Sequence, residues 1–175
     1  PNTEMMAANL GKPLTDVPDP FGTHESYGRN MNARLCAFLD RFHFEYDFRS
    51  ATDMYKSGVY DDALMHVLAK YDEVMAVMLP TLGDERASTY SPFLPVSPRS
   101  GKVLLAPVVS RDVAKGTITY LEEDGSEETV SVKGGHCKLQ WKPDFGMRWA
   151  ALGIDYEMFG KDHQPNQGLY DHLCK

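Results

Sequence analysis

KLQWKPDFGMRW, residues 138–149, followed ten residues further on by FGKDH at 159–163, decides how this chain is read. Pro143 suits the first turn of a helix, where its missing N–H would have no partner, and Gly153 suits its stop. A helix is therefore predicted over Pro143 through Leu152, and Ile154 to Phe159 reads as a short strand running into a Gly160-Lys161-Asp162-His163 loop. The carboxyl end of a strand, turning on a glycine with polar residues, is where open α/β sheets hold ligands. In that context Gly160 would let a ligand approach the backbone, Asp162 would accept hydrogen bonds from paired ribose hydroxyls, and His163 would donate to a phosphate or carboxylate. An exposed turn with no ligand is the competing reading of the same four residues. Trp141 and Trp149 are about two helical turns apart and can share a face. Packing is the simplest account of Trp149, whereas Trp141, between Gln140 and Lys142, suits a pocket wall as well as a core. Asp144 and Arg148, spaced i to i+4, read as a helix-surface pair worth a few tenths of a kcal/mol.

Outward from this segment, residues 1–22 hold Pro13, Pro18 and Pro20 with few apolar residues and predict an extended lead-in. Tyr27, Met31, Leu35, Phe38, Leu39 and Phe42 then recur at helical intervals, with Thr23 as N-cap. Phe44, Tyr46 and Phe48 alternate with Glu45, Asp47 and Arg49, the period of a half-buried strand. A second helix is expected from Tyr60, burying Leu64, Val67, Leu68, Tyr71, Met75, Met78 and Leu79, and ending at Pro80. From Tyr90 to Gly135 the helical period is lost. Prolines punctuate strand-like runs there, among them Val103-Leu104-Leu105 and Thr117-Ile118-Thr119-Tyr120, and Asp124-Gly125 marks a hairpin before Thr129-Val130-Ser131-Val132. A last helix begins near Gly168. The pattern predicts an α/β domain with a β excursion, divided as residues 1–89, 90–137 and 138–175.

Composition narrows the function. With 42% hydrophobic residues the chain can bury one core and a small satellite lobe. A net charge of −7 argues against a surface devoted to gripping nucleic-acid phosphates. Cys36, Cys137 and Cys174 are an odd number without a Cys-x-x-Cys pair, which fits a reducing, cytoplasmic setting better than a disulfide framework. No apolar run approaches the ~18 residues of a membrane helix. The histidines and cysteines have no metal-ligand spacing, so no metal is assigned. Phosphate-binding Gly-x-x-x-x-Gly-Lys-Ser/Thr, dinucleotide-binding Gly-x-Gly-x-x-Gly and nucleophile-elbow Gly-x-Ser-x-Gly motifs do not occur.

Three separated blocks, Pro18-Asp19-Pro20-Phe21-Gly22-Thr23-His24-Glu25-Ser26-Tyr27-Gly28, Tyr90-Ser91-Pro92-Phe93-Leu94-Pro95-Val96, and Lys138 to Trp149 with Phe159 to His163, resemble the central part of a class I lysyl-tRNA synthetase. The resemblance implies part of a Rossmann-like catalytic domain carrying a small antiparallel β insertion, a degenerate form of a zinc ribbon. It implies an aminoacyl-tRNA ligase that activates lysine with ATP, as Mg-ATP, and transfers it to tRNA(Lys) in the cytoplasm. Trp141, His163 and, more remotely, Asp144 would line the lysine site, while Gly160, Asp162 and His163 would face the adenylate. The family's two ATP-activating signatures, a His-Ile-Gly-His-like element and a Lys-Met-Ser-Lys-Ser-like loop, are absent from residues 1–175, so no catalytic residue is expected within the chain and it reads as an internal fragment, inactive alone. The turns Ser97-Pro98-Arg99-Ser100-Gly101 and Glu122-Glu123-Asp124-Gly125 lack the thiolates of a zinc ribbon, so no zinc is expected in the insertion. The alternatives are a non-enzymatic RNA- or protein-binding module and a nucleotide-binding enzyme of another class I-like family. Oligomeric state is left open.

Overall fold

The computed structural model of the chain describes residues 2–175; Pro1, part of the expected lead-in, lies outside them. The fold is mixed α/β, with helices packed around two small antiparallel sheets. The lead-in is not simply extended: it holds helix α1 (Thr3–Ala8) and a 3-10 turn at Leu14–Asp16.

Helix α2 runs from Tyr27 to Arg41. Its cap is Ser26, whose Oγ accepts from the Arg29 N–H, and not Thr23. Thr23 is already committed to Asp19. That carboxylate accepts from the N–H groups of Phe21, Thr23 and His24, the Thr23 hydroxyl and the Asn30 amide. Burial opposes the charged form of Asp19, but these donors outweigh it and hold its carboxyl well below the usual carboxylate range. The loop is thereby closed around one side chain before the helix starts.

The strand expected over residues 44–48 does not form. Its alternation is present, but among the described residues no neighbour offers it a ladder, and a strand without one is irregular backbone. Instead Ser50, whose Oγ accepts from the Asp53 N–H, opens the short helix α3 (Ala51–Lys56), which periodicity did not reveal. The single helix expected from Tyr60 to Pro80 is two, α4 (Asp61–Ala69) and α5 (Tyr71–Met78), hinged at Lys70. The bend lets Leu64 and Leu68 of α4 and Tyr71 and Met78 of α5 all be buried. A short α6 (Asp84–Ser88) follows.

Strand β1 (Phe93–Pro95) pairs antiparallel with β5 (Cys137–Leu139), bringing the two ends of the intervening excursion together. Between them β2 (Val108–Asp112), β3 (Thr117–Leu121) and β4 (Glu127–Ser131) form an antiparallel meander. The β3–β4 turn is at Asp124-Gly125 as predicted, with Gly125 at φ +81°, a conformation that suits glycine. Val103-Leu104-Leu105 is not a strand; Val103 makes a single bridge to Val96. The Arg99 guanidinium ties the 97–101 turn to the β3–β4 turn through Asp124, Ser126 and Glu128.

One hydrophobic core joins α3, α4 and α5 to both sheets and to helix α7 (Trp141–Leu152), through Tyr55, Leu64, Leu68, Tyr71, Phe93, Ile118, Tyr120, Leu139 and Met147. Leu64 and Leu68 are fully buried, each stabilising the fold by about 1.5–3 kcal/mol relative to exposure. Helix α8 (Gln167–Cys174) completes the chain. All strand pairs among the described residues are antiparallel, so the parallel sheet expected of a Rossmann-like domain does not occur among them. Ile154 to Phe159, expected as a strand leading to the site, is irregular and largely exposed.

Candidate functional site

Helix α7 begins at Trp141, two residues before Pro143. Pro143 is tolerated because its missing N–H would have had no acceptor inside the first turn. Gln140 pins this end to the β1 side. Its N–H donates to the Pro92 carbonyl at 2.8 Å and its side-chain amide to the Ser91 carbonyl at 3.0 Å, while its amide oxygen accepts from Arg86 at 2.9 Å. At the other end Gly153 stops the helix with φ +60°.

Helix α8 crosses α7 at Gly146. A Cβ there would lie 2.7 Å from the Leu173 Cβ and 2.8 Å from the Leu173 carbonyl carbon, so the close approach requires glycine. The crossing brings Tyr170 into a cluster of rings. Phe145 stacks on Tyr170 with centroids 5.0 Å apart, and Trp141 and Trp149 meet the same ring edge-on at 6.2 and 5.7 Å. The two tryptophans thus share a face of α7, as their spacing predicts. Trp149 is not in the main core but in this satellite cluster, its indole N–H donating to Glu157 at 3.2 Å.

The Gly160-Lys161-Asp162-His163 tetrapeptide folds as a turn against these rings. The His163 N–H donates to the Gly160 carbonyl at 3.0 Å. The His163 ring lies 5.2 Å from both Trp141 and Phe145, and its Nδ1 is 3.1 Å from the hydroxyl of fully buried Tyr170. Its Nε2 is 3.6 Å from the Asp162 carboxylate, whose side chain is 81% exposed and so open to a ligand. Asp162 folds back over Gly160. A Cβ on Gly160 would stand 2.4 Å from Asp162 Oδ1, so glycine makes room for the carboxylate rather than for a positive φ. Trp141 keeps half its surface exposed beside His163. Trp141, Gly160, Asp162 and His163 therefore converge.

Asp144 stands apart from that group. It is 7% exposed, accepts from the Tyr55 hydroxyl at 2.5 Å, and pairs with Arg148 through its other oxygen. Tyr55 in turn accepts from the Leu139 N–H at 3.2 Å, linking α3, β5 and α7. Burial, reinforced by the neighbouring carboxylate, pushes the Tyr55 phenol far up and keeps it a donor. The i, i+4 pair is as spacing predicts, but its acid faces the core. Burial also lowers the ammonium pKa of nearby Lys138.

Sequence reading did not single out Phe145, Phe159 or Tyr170, the rings that hold His163. Tyr170 is seven residues from His163, yet a 3-10 turn at Gln164–Asn166 separates the two, so no helical period links them. A cavity of 810 Å³ is lined by Trp149, Tyr156, Met158, Phe159 and Asp171, among others, and does not include Trp141, Asp162 or His163. Among the described residues no three His, Cys, Asp or Glu side chains are grouped so as to hold a metal ion, and no helix is long and apolar enough to cross a membrane.

The class of this mixed α/β chain comes from a family comparison: residues 1–174 match the model for tRNA synthetases class I (K), and the chain belongs to that family. More particularly, it is 58% identical over all 175 residues to proteins named lysine–tRNA ligase from Rickettsia typhi and Rickettsia prowazekii, and 58% identical to one from Rickettsia bellii. The chain spans about a third of the length of these relatives, 33% for the first two and 34% for the third.

Proposed function

We propose that this chain is the central segment of a lysine–tRNA ligase, which activates lysine with Mg-ATP as lysyl-adenylate and passes it to tRNA(Lys) in the cytoplasm. The observation that carries the reading is the convergence of Trp141, Gly160, Asp162 and His163 within a chain 58% identical to such ligases from end to end. A non-enzymatic RNA- or protein-binding module is not favoured by that identity.

In this reading residues 1–89 and 138–175 belong to a Rossmann-like catalytic domain, and 90–137 form an insertion that keeps a ribbon-like shape without zinc. The exposed Asp162 carboxylate accepts hydrogen bonds from the two ribose hydroxyls of the adenylate, and Gly160 leaves it space to do so. The open face of Trp141 packs on the aliphatic stem or the ammonium of lysine, an interaction worth about 0.5–2 kcal/mol depending on desolvation. His163, fixed by Tyr170 through Nδ1, stands between the two and presents Nε2 to the amino acid or the phosphate. Asp144 acts on the lysine side from beneath, by fixing Arg148 and the first turns of α7. These groups bind and orient. Charge developing on the transferring phosphate is met by the two signatures absent from residues 1–175, so the chain alone does not form adenylate.

Isothermal titration with a lysyl-sulfamoyl adenosine analogue tests this on the full-length ligase. Asp162→Ala is expected to weaken binding about 10-fold or more, the scale of a lost charge-assisted hydrogen bond. Trp141→Ala is expected to weaken it severalfold. Unchanged affinity in both variants would sink the assignment.

A further inference from the structure

Beside strand β5, the 3-10 turn at Leu14–Asp16, helix α2 and the start of α3 enclose a cavity of 230 Å³. Its polar walls are Thr15, Asn32, Ser50, Thr52 and Lys138, and none of them belongs to the Trp141–His163 group. No residue lining it carries a carboxylate, and one carries an ammonium. Cys137 and Leu139 are buried in the core, so the alternation of β5 turns Lys138 to the opposite side, against this cavity. The space is too small for a drug-sized molecule and large enough for one tetrahedral oxyanion with a little water.

Among the described residues the Lys138 ammonium makes no hydrogen bond and no ion pair, because the acids around it are already taken. Asp16 pairs with Lys56 at 3.7 Å, Asp53 holds Arg29 through both oxygens at 2.8 Å, and Asp144 is divided between Tyr55 and Arg148. Burial outweighs the attraction of Asp144 and Asp16 and lowers the pKa of the ammonium, so the charge is held there at a cost. A part-buried charge without a partner destabilises a fold, and such groups mark places where a ligand supplies the partner. The neutral walls point the same way. Thr15 and Thr52 share one hydrogen bond at 3.1 Å, which uses only one of the two hydroxyl hydrogens, so the pair keeps a donor to offer. The Asn32 amide lines the same cavity and makes no hydrogen bond among the described residues.

We propose that this cavity is a site for a singly charged phosphate group, held by the Lys138 ammonium and by the Thr15–Thr52 and Asn32 donors. One unpaired cation matches one negative charge, and an ammonium takes a phosphate oxygen as a point charge, without the planar fork of arginine. A phosphodiester of an RNA backbone carries that single charge, whereas a nucleoside triphosphate carries several and would leave most of them unmet here. In the ligase reading the RNA is tRNA(Lys), and the site holds one of its backbone phosphates, fixing register without reading sequence. A chain of net charge −7 then grips the RNA at a chosen point instead of over a broad basic face. The RNA source rests on the ligase reading; the phosphate site does not.

Lys138→Met in the full-length ligase tests it, since methionine keeps the reach of the side chain and removes the charge. Binding of tRNA(Lys) is expected to weaken about 10-fold, and the slope of log affinity against log salt to fall by about 1, the signature of one lost phosphate contact. Thr52→Val, which removes one hydroxyl, is expected to weaken binding severalfold. Without RNA, the Tm of Lys138→Met is expected to equal or exceed that of the parent, because an unpartnered charge has gone. Inorganic phosphate at constant ionic strength, with lysyl-sulfamoyl adenosine filling the adenylate site, separates the two sources. Stabilisation by phosphate of the parent and not of Lys138→Met, with equal tRNA affinity in both, keeps the site and replaces RNA by a small phosphate ligand. Lys138→Met that matches the parent in both tRNA binding and phosphate response overturns the proposal. A lower Tm in Lys138→Met overturns it in favour of an ion pair with a carboxylate outside residues 1–175. A parent chain that fails to attach lysine to tRNA removes the ligase reading and the RNA source with it, and the phosphate response then decides the site alone.

Discussion

Replacing Gly146 by alanine sets two effects of opposite sign against each other. In a helix interior, alanine is favoured over glycine by about 0.8–1.0 kcal/mol, because glycine loses more backbone freedom on folding. Against this, the new methyl would stand 2.7 Å from Leu173 Cβ, 2.8 Å from the Leu173 carbonyl carbon and 2.9 Å from the Cys174 nitrogen. Two of those three atoms are backbone and cannot rotate away, so α8 has to move as a body. Overpacking of this kind costs about 1–3 kcal/mol, and often more when backbone is the obstacle. The clash wins, and Gly146→Ala is expected to lower stability by ~1–2 kcal/mol. For a chain of this size that is about 2–8 °C in Tm. Gly168→Ala supplies the control. It lies in α8 with nothing within 4 Å of its would-be Cβ, so the propensity gain stands alone and Tm should rise by about 1–4 °C. The damage should also be local. Displacing α8 withdraws Tyr170 from Phe145, Trp141 and Trp149, so near-ultraviolet circular dichroism and tryptophan emission should change in Gly146→Ala and not in Gly168→Ala. Thermal denaturation showing Gly146→Ala as stable as the parent, with an unaltered aromatic spectrum, would refute the reasoning about the crossing.

Two further outcomes follow from groups outside the ring cluster. Tyr55→Phe removes the hydroxyl that donates to Asp144 and accepts from the Leu139 N–H, leaving a buried carboxylate oxygen and a buried amide without that partner; urea denaturation should show a loss of about 1–3 kcal/mol, whereas Tyr60→Phe, whose hydroxyl makes no such link, should be nearly neutral. The 19–24 loop should loosen in acid: the Asp19 carboxyl is lowered on folding, so its contribution is fully present above its ordinary value of 3.8 and is lost as pH falls from there through its lower folded value, and Asp19→Asn should flatten that part of the stability–pH profile.

The chain shows which parts of a fold a local sequence can declare. The β3–β4 hairpin at Asp124-Gly125 and the stop of α7 at Gly153 were legible because glycine and turn chemistry act over a few residues. Both elements also have their partners within the chain. The caps were less legible, since Thr23 and Ser26 carry the same hydroxyl. What assigned the cap to Ser26 was Asp19, four residues before Thr23, which had already taken the threonine. The hinge at Lys70 lies hidden inside an unbroken apolar period, because both halves bury residues of the same type into one core. At the candidate site, composition singled out Trp141, Asp162 and His163, whereas the group that fixes the histidine, Tyr170, depends on a helix crossing and on glycine at position 146. The predicted strand over residues 44–48 is the instructive failure. Its period and residue types argue for a half-buried strand, yet among the described residues Glu45 to Phe48 make no backbone–backbone hydrogen bond and the aromatic side chains are exposed. Periodicity reports the environment a segment is suited to, and a strand becomes one only when a neighbour accepts its hydrogen bonds. Where the described residues supply no such neighbour, as at 44–48, the alternation still declares the preference of the segment, and the fold leaves Phe44, Tyr46 and Phe48 exposed instead of pleated against a core.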